Sequence, residues 1–252
     1  MSGSSMSAGP TAGSTKTEHL GHTKIDVDRM RRLGIPEAVY ASGKTVDQCV
    51  EIVSRMLSQT DHPVVITRTT PEQRAALVQL SPDAAASNTL TWQHSRTRAI
   101  NPVLLVSGGT SDQCVVDEAN LTLQALGVPS KTLRDVGVAG LHRLLDSLDE
   151  FTDTSVVIVV AGMEGSLSTV LAGLVPNPII AVPTSVGYGS SLEGVTAMLS
   201  AMASCAPGMS VVGIDNGYGA ACAAVRILNL TQNLAVEKSS SAIASSATAS
   251  SL

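Results

Sequence analysis

The chain has very few aromatic residues: its 252 residues include one Trp, one Phe and three Tyr. A core with so few rings must be built from Val, Leu, Ile, Ala and Met, and such a composition suits a parallel sheet covered by alanine-rich helices. With 44% hydrophobic residues, the chain can bury a sizeable core of this kind. Its length allows one large or two modest domains, since domains run to about 100 to 200 residues.

Blocks of like charge and long apolar runs are also missing. The formal net charge is −5, and without a basic cluster we expect neither a nucleic-acid face nor a polybasic membrane patch. The longest apolar runs, such as 156–161, fall well short of the roughly 20 residues that span a bilayer. The first residues have no apolar signal core. We therefore expect a small-molecule partner, and no nucleic acid or membrane.

The cysteines show no metal-binding or redox spacing. No two of Cys49, Cys114, Cys205 and Cys222 form a C-x-x-C pair, and the five histidines are not clustered. A zinc site is therefore not expected. Reduced thiols in a cytoplasmic protein are the expectation.

Both ends of the chain consist mainly of small residues such as Ser, Ala, Gly and Thr. Segments of this composition cannot form a core, so residues 1–20 and 237–252 are predicted to be disordered tails. Between them we predict a smaller α/β domain over 21–100 and a second domain over 101–236. The boundary is placed at Asn101-Pro102 because strand and helix patterns alternate strictly after it.

The N-terminal half contains a predicted strand, a Gly-Lys-Thr turn and a helix over 46–58. This order is typical of phosphate-binding loops, but the upstream Walker glycine is missing. Two alternatives remain for Gly43, Lys44 and Thr45: an anion-binding turn at a helix N-terminus, or a plain connection. Further on, an aromatic and three basic side chains either bind an anion or a base, or form a solvated connector; they are Trp92, His94, Arg96 and Arg98.

From residue 103 onward, five predicted strands alternate with five helices. The strands are predicted over 103–106, 128–131, 156–160, 178–182 and 211–214. Strict alternation favours parallel strands with right-handed crossovers, so the loops that follow the strands share one edge of the sheet. Each of these loops carries at least two glycines, which let backbone amides approach a phosphate closely. One such loop is merely a turn, but five along one edge indicate a nucleotide site.

The last strand–loop–helix junction, Ser210–Leu230, contains the candidate nucleophile. We predict a loop over 215–219 and a helix from Ala220, which places Cys222 about one turn into that helix. There, unpaired amides and the helix dipole would lower the pKa of the thiol. Open α/β sheets bind ligands at such junctions. A lone cysteine is more often a packing residue, and that alternative remains.

Three of these segments resemble the class I aminoimidazole ribonucleotide mutase family, PurE. The loop Ser107-Gly-Gly-Thr-Ser-Asp112 stands where that family has Gly-Ser-x-Ser-Asp, and 161–174 and 215–224 correspond to two further motifs. The chain is more similar to the LarB family of pyridinium-3,5-biscarboxylic acid mononucleotide synthases, which act in nickel-pincer cofactor biosynthesis. That similarity covers both halves of the chain, in the segments 28–45, 134–145, 160–165, 180–189 and 215–220.

The resemblance implies a flavodoxin-like or Rossmann-like PurE-type domain, a parallel sheet with helices on both faces, preceded by a smaller α/β domain. It also implies a reaction: nicotinic acid adenine dinucleotide is carboxylated on C5 of its pyridinium ring with CO2 or bicarbonate, and its phosphoanhydride is hydrolysed to release AMP. Mg²⁺ is the expected ion, with no ATP and no organic cofactor, and a homo-oligomer, by analogy an octamer, is expected. The alternatives are a carboxyaminoimidazole ribonucleotide mutase and a nucleotide-sensing module without catalysis.

The resemblance assigns roles to individual residues. Cys222 would add to the electron-poor ring as a thiolate and make C5 nucleophilic. Glu164 is a candidate base or, with Asp215, a Mg²⁺ ligand. His142 and Asp135 lie where the mutases keep a catalytic histidine, but their Ser-Ala-His-Arg sequence is absent here, so a structural hydrogen bond is the alternative for His142. Asp112 would hold substrate or cap the next helix, and Tyr188 and Tyr218 would stack on a ring or pack within their loops.

The remaining substrate-binding candidates lie in the turn after the first strand and in the glycine loops. They are Gly43, Lys44, Thr45, Ser107, Gly108, Gly109, Thr110, Ser111, Gly162, Met163, Gly165, Pro183, Ser185, Gly187, Asn216 and Gly217.

Overall fold

The computed structural model of the protein describes residues 17–231. The N-terminal half contains β1 (Thr17–His19), β2 (Lys24–Asp26), α1 (Arg29–Leu33), β3 (Ala38–Tyr40), α2 (Val46–Gln59), β4 (Val64–Thr67), α3 (Pro71–Leu77), β5 (Ala84–Ala86) and β6 (Thr89–Trp92). The C-terminal half contains β7 (Val103–Ser107), α4 (Gln113–Ala125), β8 (Ser130–Leu133), α5 (Leu141–Leu145), β9 (Val156–Ala161), α6 (Ser166–Leu174), β10 (Ile179–Pro183), α7 (Val195–Met202), β11 (Ser210–Val211) and α8 over 217–231.

The C-terminal strands form one parallel sheet in the order β11-β10-β9-β7-β8. Every residue of β7, β9 and β10 is buried, because helices cover both faces. On one face α4 and α8 pack against Leu105 and Ile158. On the other face α5 and α6 pack against Leu104 and Val157. The predicted doubly wound α/β domain is confirmed.

The direction of winding reverses at the centre of this sheet. The chain runs from β7 outward to β8 on one side and then crosses to β9 on the other side of β7. A crevice opens at the carboxyl ends of the strands where such a reversal occurs, and ligands of open α/β sheets bind there. The glycine loops after β7 and β9 meet at this point.

The N-terminal half has a smaller mixed sheet in the order β3-β4-β6-β5, in which only β3 and β4 are parallel. The hairpin of β5 and β6 lies where the sequence suggested a basic cluster or a connector. Trp92 is 3% exposed, and its indole N–H donates to the carbonyl of Leu80. Because Trp92 belongs to the core, stacking of a base on it is wrong. His94 is hydrogen-bonded to Thr91, and Arg98 donates to Asn229.

The N-terminal tail predicted over 1–20 is too long, since Thr17–His19 forms β1 and pairs with β2. The rest of that tail, and the tail predicted over 237–252, lie outside the described residues. Within 17–231, no helix has both the length and the apolarity to cross a membrane.

Helix α4 connects the two cores. It contacts β4, β5 and β6 of the smaller sheet as well as β7 and β8 of the larger one. It consequently buries residues around most of its circumference: Val115, Val116, Glu118, Ala119, Leu121, Thr122, Leu123 and Ala125. A carboxylate in that set must find partners, because an unpaired buried charge is strongly destabilising.

Candidate active site

A cleft of about 280 Å³ lies at the reversal between β7 and β9. Seven of the predicted residues line it: Gly108, Gly109, Ser111, Asp112, Gly162, Met163 and Glu164. Ser107 is buried directly beneath it at the end of β7, and Thr110 is exposed at its edge. The structure therefore brings the loops after β7 and β9 together, as the sequence predicts.

Asp112 joins the loops of this cleft. It is 3% exposed; its Oδ2 accepts from the Gly109 amide at 3.0 Å and its Oδ1 from the Thr184 hydroxyl at 2.7 Å. Burial raises the pKa of this carboxyl, although both hydrogen bonds favour the charged form. The side chain does not cap α4, so the alternative role as the cap of that helix is wrong.

Gly162 is required by a close approach of two loops. A Cβ at this position would collide with the carbonyl oxygen of Val186 and lie 2.7 Å from the Thr184 hydroxyl. We expect Gly162→Ala to lower the free energy of unfolding by about 2 kcal/mol, because a backbone neighbour cannot move aside as a flexible side chain does. Chemical denaturation of both proteins measures this change.

Gly173→Ala is the matched control for that substitution. A Cβ on Gly173, which lies near the end of α6, meets no atom within 4 Å. We expect it to leave stability unchanged or raise it by about 0.5 kcal/mol through helix propensity. Equal behaviour of the two alanine variants would contradict the close approach.

Glu164 lies at the mouth of the cleft and is exposed, with the Ser166 hydroxyl donating to it. Its neighbour Met163 adopts a left-handed φ of 54°. Gly165 directly precedes α6 and packs closely against Ala197 of α7. Glu164 is thus an accessible carboxylate beside a glycine-lined cleft.

The loop after β10 divides between buried and exposed positions. Pro183 ends β10, and the Ser185 amide donates to Asp215 Oδ1 at 2.8 Å. Gly187 packs against Ser191. Tyr188, in contrast, is 81% exposed, so packing within its own loop is wrong for this tyrosine.

Helix α8 begins at residue 217, three residues before the predicted start. Two acceptors explain this difference: Asn216 Oδ1 accepts from the Gly219 amide at 2.7 Å, and Glu118 Oε1 accepts from the Tyr218 amide at 3.0 Å. Gly217 fits here because a Cβ would collide with the backbone of α4 at Val115. The first amides of the helix are therefore occupied.

Cys222 lies in the second turn of α8 and is half-buried. Burial raises the pKa of its thiol, and the hydrogen bond with Tyr218 and the charges of Arg29 and Arg226 offset only part of this increase. The predicted lowering of the thiol pKa by the helix N-terminus is wrong for the ligand-free protein. Its physical reason is burial, which is the largest influence on this thiol; the amides of Tyr218 and Gly219 are also already bound by Glu118 and Asn216.

The hydroxyl of Tyr218 connects this thiol to the N-terminal domain. It donates to the carbonyl of Pro36 at 3.0 Å, and it lies close enough to Cys222 to stabilise the ionised thiol. Because a phenol has one proton to donate, Tyr218 does not donate to the thiol while it is bonded to Pro36. When the thiol ionises, the hydroxyl proton can turn from Pro36 towards the sulfur.

A second cleft, of about 340 Å³, lies between the two domains beside Tyr218. Arg68 extends into this region from the end of β4: it donates to the carbonyl of Asp215 at 2.6 Å, and its guanidinium lies 5.5 Å from the ring centre of Tyr40. Glu118 Oε2 is 3.8 Å from Arg68 Nε. We call this the interdomain cleft.

The sequence analysis did not identify Arg68, Tyr40 or Glu118. Arg68 directly follows a fully buried strand, a position comparable to the loops that were singled out. Glu118 interrupts the apolar face of α4 between Val115 and Thr122, and a charge on such a face signals a buried partner.

Other predicted residues lie apart from both clefts or serve the local backbone. Lys44 donates to the carbonyl of Tyr40 at 2.8 Å, and Thr45 forms a capping box with Gln48 at the start of α2. These contacts are those of a plain connection. Asp135 pairs with Arg143 at 2.6 Å, its amide donates to Ser107 at 3.4 Å, and His142 is exposed on α5.

The described residues contain no group of three or more His, Cys, Asp or Glu side chains that could hold a metal ion. Mg²⁺ does not require such a group, since it keeps several waters and binds through one or two carboxylates and substrate phosphates. The exposed Glu164 beside the cleft fits this type of site. All four cysteines are free thiols.

The fold and the cleft at its reversal define an open α/β protein with a candidate ligand site at the carboxyl edge of its sheet. Residues 102–248 match the family model for AIR carboxylase, and residues 17–94 match that for the LarB/PurE-like N-terminal domain. An uncharacterized protein of Methanocaldococcus jannaschii is 36% identical over 214 residues, which cover 78% of this chain and 80% of the relative.

The chain belongs to the LarB family and has a PurE-like C-terminal domain. This family is related to nucleotide-processing carboxylases.

Proposed function

We propose that the protein carboxylates nicotinic acid adenine dinucleotide on C5 of the pyridinium ring and cleaves its phosphoanhydride, which yields pyridinium-3,5-biscarboxylic acid mononucleotide and AMP. The observation that carries the proposal is the placement of Cys222 beside Tyr218, a tyrosine that lines the interdomain cleft. A ring that enters this cleft comes close to a thiol that an imidazole-ribonucleotide mutase would not need. The LarB-type N-terminal domain supports the same reaction.

The proposed ring chemistry proceeds through a covalent adduct. The Cys222 thiolate adds to a ring carbon, and the electron pair of the broken π bond moves towards the ring nitrogen, so the adduct is an enamine. Its C5 then forms a bond to the carbon of CO2. A base removes the C5 proton, the C–S bond breaks with its pair on sulfur, and aromaticity returns. The thiolate is regenerated, and the ring has gained one carboxylate.

A cationic substrate would lower the raised pKa of the Cys222 thiol. In the free protein burial favours the protonated form, but a pyridinium charge beside the sulfur favours the thiolate. Tyr218 can then donate to the sulfur, as described above. The nucleophile would thus form where its target is already bound.

We further propose that the cleft between β7 and β9 holds the phosphates. Its glycines let backbone amides reach phosphate oxygens, and Glu164 at its mouth would hold Mg²⁺, with Asp215 as a second ligand. The ion would stabilise the negative charge that develops as the phosphoanhydride breaks. Glu164 is also our candidate for the base. His142 with Asp135 remains our candidate for proton transfer, and substrate binding would have to bring it to the cleft, since neither residue lines it.

We also propose self-association. Large apolar side chains are exposed on the segment that leads into α7 and on α7 itself: Tyr188, Leu192, Leu199 and Met202. Large exposed apolar surface marks contacts between proteins, and the related mutases assemble as octamers.

Three candidate functions are separated by one pair of incubations. The protein is supplied with Mg²⁺ and labelled bicarbonate, together with either nicotinic acid adenine dinucleotide or carboxyaminoimidazole ribonucleotide. Release of AMP with label in the nicotinate ring supports the synthase. Turnover of the imidazole ribonucleotide, which the match to AIR carboxylase favours, would support a mutase instead. Tight binding of the dinucleotide without turnover would leave a sensor.

The high pKa of Cys222 predicts its alkylation behaviour. In a Cys114→Ser/Cys205→Ser background without ligand, we expect iodoacetamide to react slowly at pH 7 and about tenfold faster per pH unit up to pH 9, because only the thiolate reacts. Burial raises the pKa of the thiol, so the thiolate fraction, and with it the reaction rate, keeps rising with pH over this range. Mass spectrometry of the modified peptide measures the rate. A plateau below pH 8 would show that the thiol is already activated in the free protein.

A further inference from the structure

The interdomain cleft combines charges of both signs with aromatic side chains. Arg68 contributes a guanidinium whose bond to the Asp215 carbonyl uses one of its five N–H donors. Glu118, 4% exposed, contributes a carboxylate. Tyr40 and Tyr218 line the same space. Its volume of about 340 Å³ lies within the roughly 300–1,000 Å³ of small-molecule sites.

This arrangement favours a ligand that carries both charges. A purely anionic ligand would meet Glu118, whose buried carboxylate lines the cleft. A purely cationic ligand would meet Arg68. A flat aromatic ring with a positive charge in the ring and a carboxylate on its edge satisfies both groups, because guanidinium forks bind carboxylates and negative groups stabilise the cationic ring.

We propose that the interdomain cleft binds the nicotinate ring, with Arg68 holding the ring carboxylate and Glu118 facing the pyridinium charge. This inference rests on the proposed function and adds to it a specificity residue from the N-terminal domain. Arg68 would select the acid over the corresponding amide, since a carboxamide offers the guanidinium no negative charge. Tyr218 lines the same cleft beside Cys222, so a ring bound there would lie near the thiol.

The hydrogen bonds extend from this cleft to the one between β7 and β9. Asp215 accepts from Arg68 through its carbonyl and from the Ser185 amide through its carboxylate. The adjacent Thr184 donates to Asp112, which lines the other cleft. A dinucleotide with its ring at Arg68 and its phosphates at the glycine loops would therefore follow the edge of the sheet along β10.

The test compares the acid and amide dinucleotides as ligands. Binding of nicotinic acid adenine dinucleotide and of nicotinamide adenine dinucleotide to the full chain is measured by calorimetry without bicarbonate. We expect the wild type to bind the acid about 10- to 100-fold more tightly, and Arg68→Gln to lose that preference, with the affinity for the amide changed by less than about threefold. Arg74→Gln is the matched control, because Arg74 also donates to a backbone carbonyl, that of Ser87, but does not line the cleft.

Two outcomes would overturn the inference. One is equal affinity of the wild type for both dinucleotides, and the other is an Arg68→Gln variant whose affinities for the two dinucleotides fall by the same factor. Since Arg68 also bonds to the C-terminal domain, thermal unfolding is measured in parallel. If Arg68→Gln does not fold, Arg68→Lys is the deciding variant, because lysine keeps the positive charge but not the planar guanidinium. We expect its affinity for the acid dinucleotide to fall by about 3- to 10-fold. An unchanged affinity would refute the role of Arg68 in holding the ring carboxylate.

Failure of the inference is distinguishable from failure of the proposed function. Ring carboxylation that proceeds normally in Arg68→Gln would refute the ring site and leave the synthase reaction intact. Absence of ring carboxylation in the wild type, together with an Arg68-dependent preference for the acid, would refute the reaction and leave the ring site intact.

Discussion

Cys222→Ser is expected to lower the incorporation of labelled bicarbonate into the nicotinate ring by at least about 10³-fold. A serine hydroxyl is a far weaker nucleophile than a thiolate at neutral pH. Because the side chains have nearly the same shape, binding of the dinucleotide should change by less than about threefold. The label in the isolated product measures the first quantity, and calorimetry measures the second.

Cys205→Ser is the control for that experiment, since Cys205 is an exposed free thiol beyond the end of α7. It should carboxylate the ring at the wild-type rate. Should Cys222→Ser retain even a tenth of the wild-type rate, the covalent adduct would be excluded as the main path, and the thiol would be a packing residue.

Glu118→Ala is expected to lower the free energy of unfolding by about 3 kcal/mol. The Glu118 carboxylate accepts from the amide of Tyr218 and pairs with Arg68. Its removal leaves an amide at the start of α8 without its acceptor and a half-buried guanidinium without its nearest charge. Denaturant unfolding at pH 7 measures the loss. A change below about 1 kcal/mol would show that water replaces the carboxylate readily.

Glu118→Gln isolates the charge of that residue, since its amide oxygen can still accept from Tyr218. Burial raises the pKa of Glu118 in the folded protein, so the folded state binds more protons than the unfolded state between the unfolded and the folded pKa. Stability must then fall as the pH rises from about 4.3, the ordinary glutamate value, through the raised folded value. We expect a smaller fall in Glu118→Gln than in the wild type over pH 5–7. Parallel curves would contradict a raised pKa.

The central strands of the larger sheet could be predicted from the sequence because β7, β9 and β10 are buried on both faces. Runs such as Val156–Ala161 have no polar member, and each is followed by a glycine loop, so their succession along the chain and their shared edge follow from local pattern alone. The edge strand β8, which is partly exposed, was placed two residues too early. Pattern identifies buried strands well and edge strands poorly.

The start of α8 and the state of its thiol could not be predicted locally. The segment Asp215–Gly219 contains two glycines and reads as a loop, but Glu118, 100 residues away along the chain, binds the Tyr218 amide and stabilises an earlier helical turn. The state of the thiol depends on burial, which raises the pKa of Cys222 and follows from packing that local sequence does not encode. Tertiary contacts thus decided both the helix boundary and the state of the thiol.

The interdomain cleft was missed for a related reason. Arg68 and Glu118 belong to no sequence motif, and they come together only when the two domains pack against each other. The glycine loops, in contrast, could be found because each carries its signal within a few residues.

The position of α4 between the two sheets has a consequence for the history and engineering of this chain. A helix that is apolar around most of its circumference needs both sheets to cover it. In an isolated C-terminal half, the side of α4 that packs against β5 and β6 would be exposed to water. Swapping the first half for that of a relative would require redesign of α4 at the same time. The two halves therefore have to change together, although separate family models recognise them.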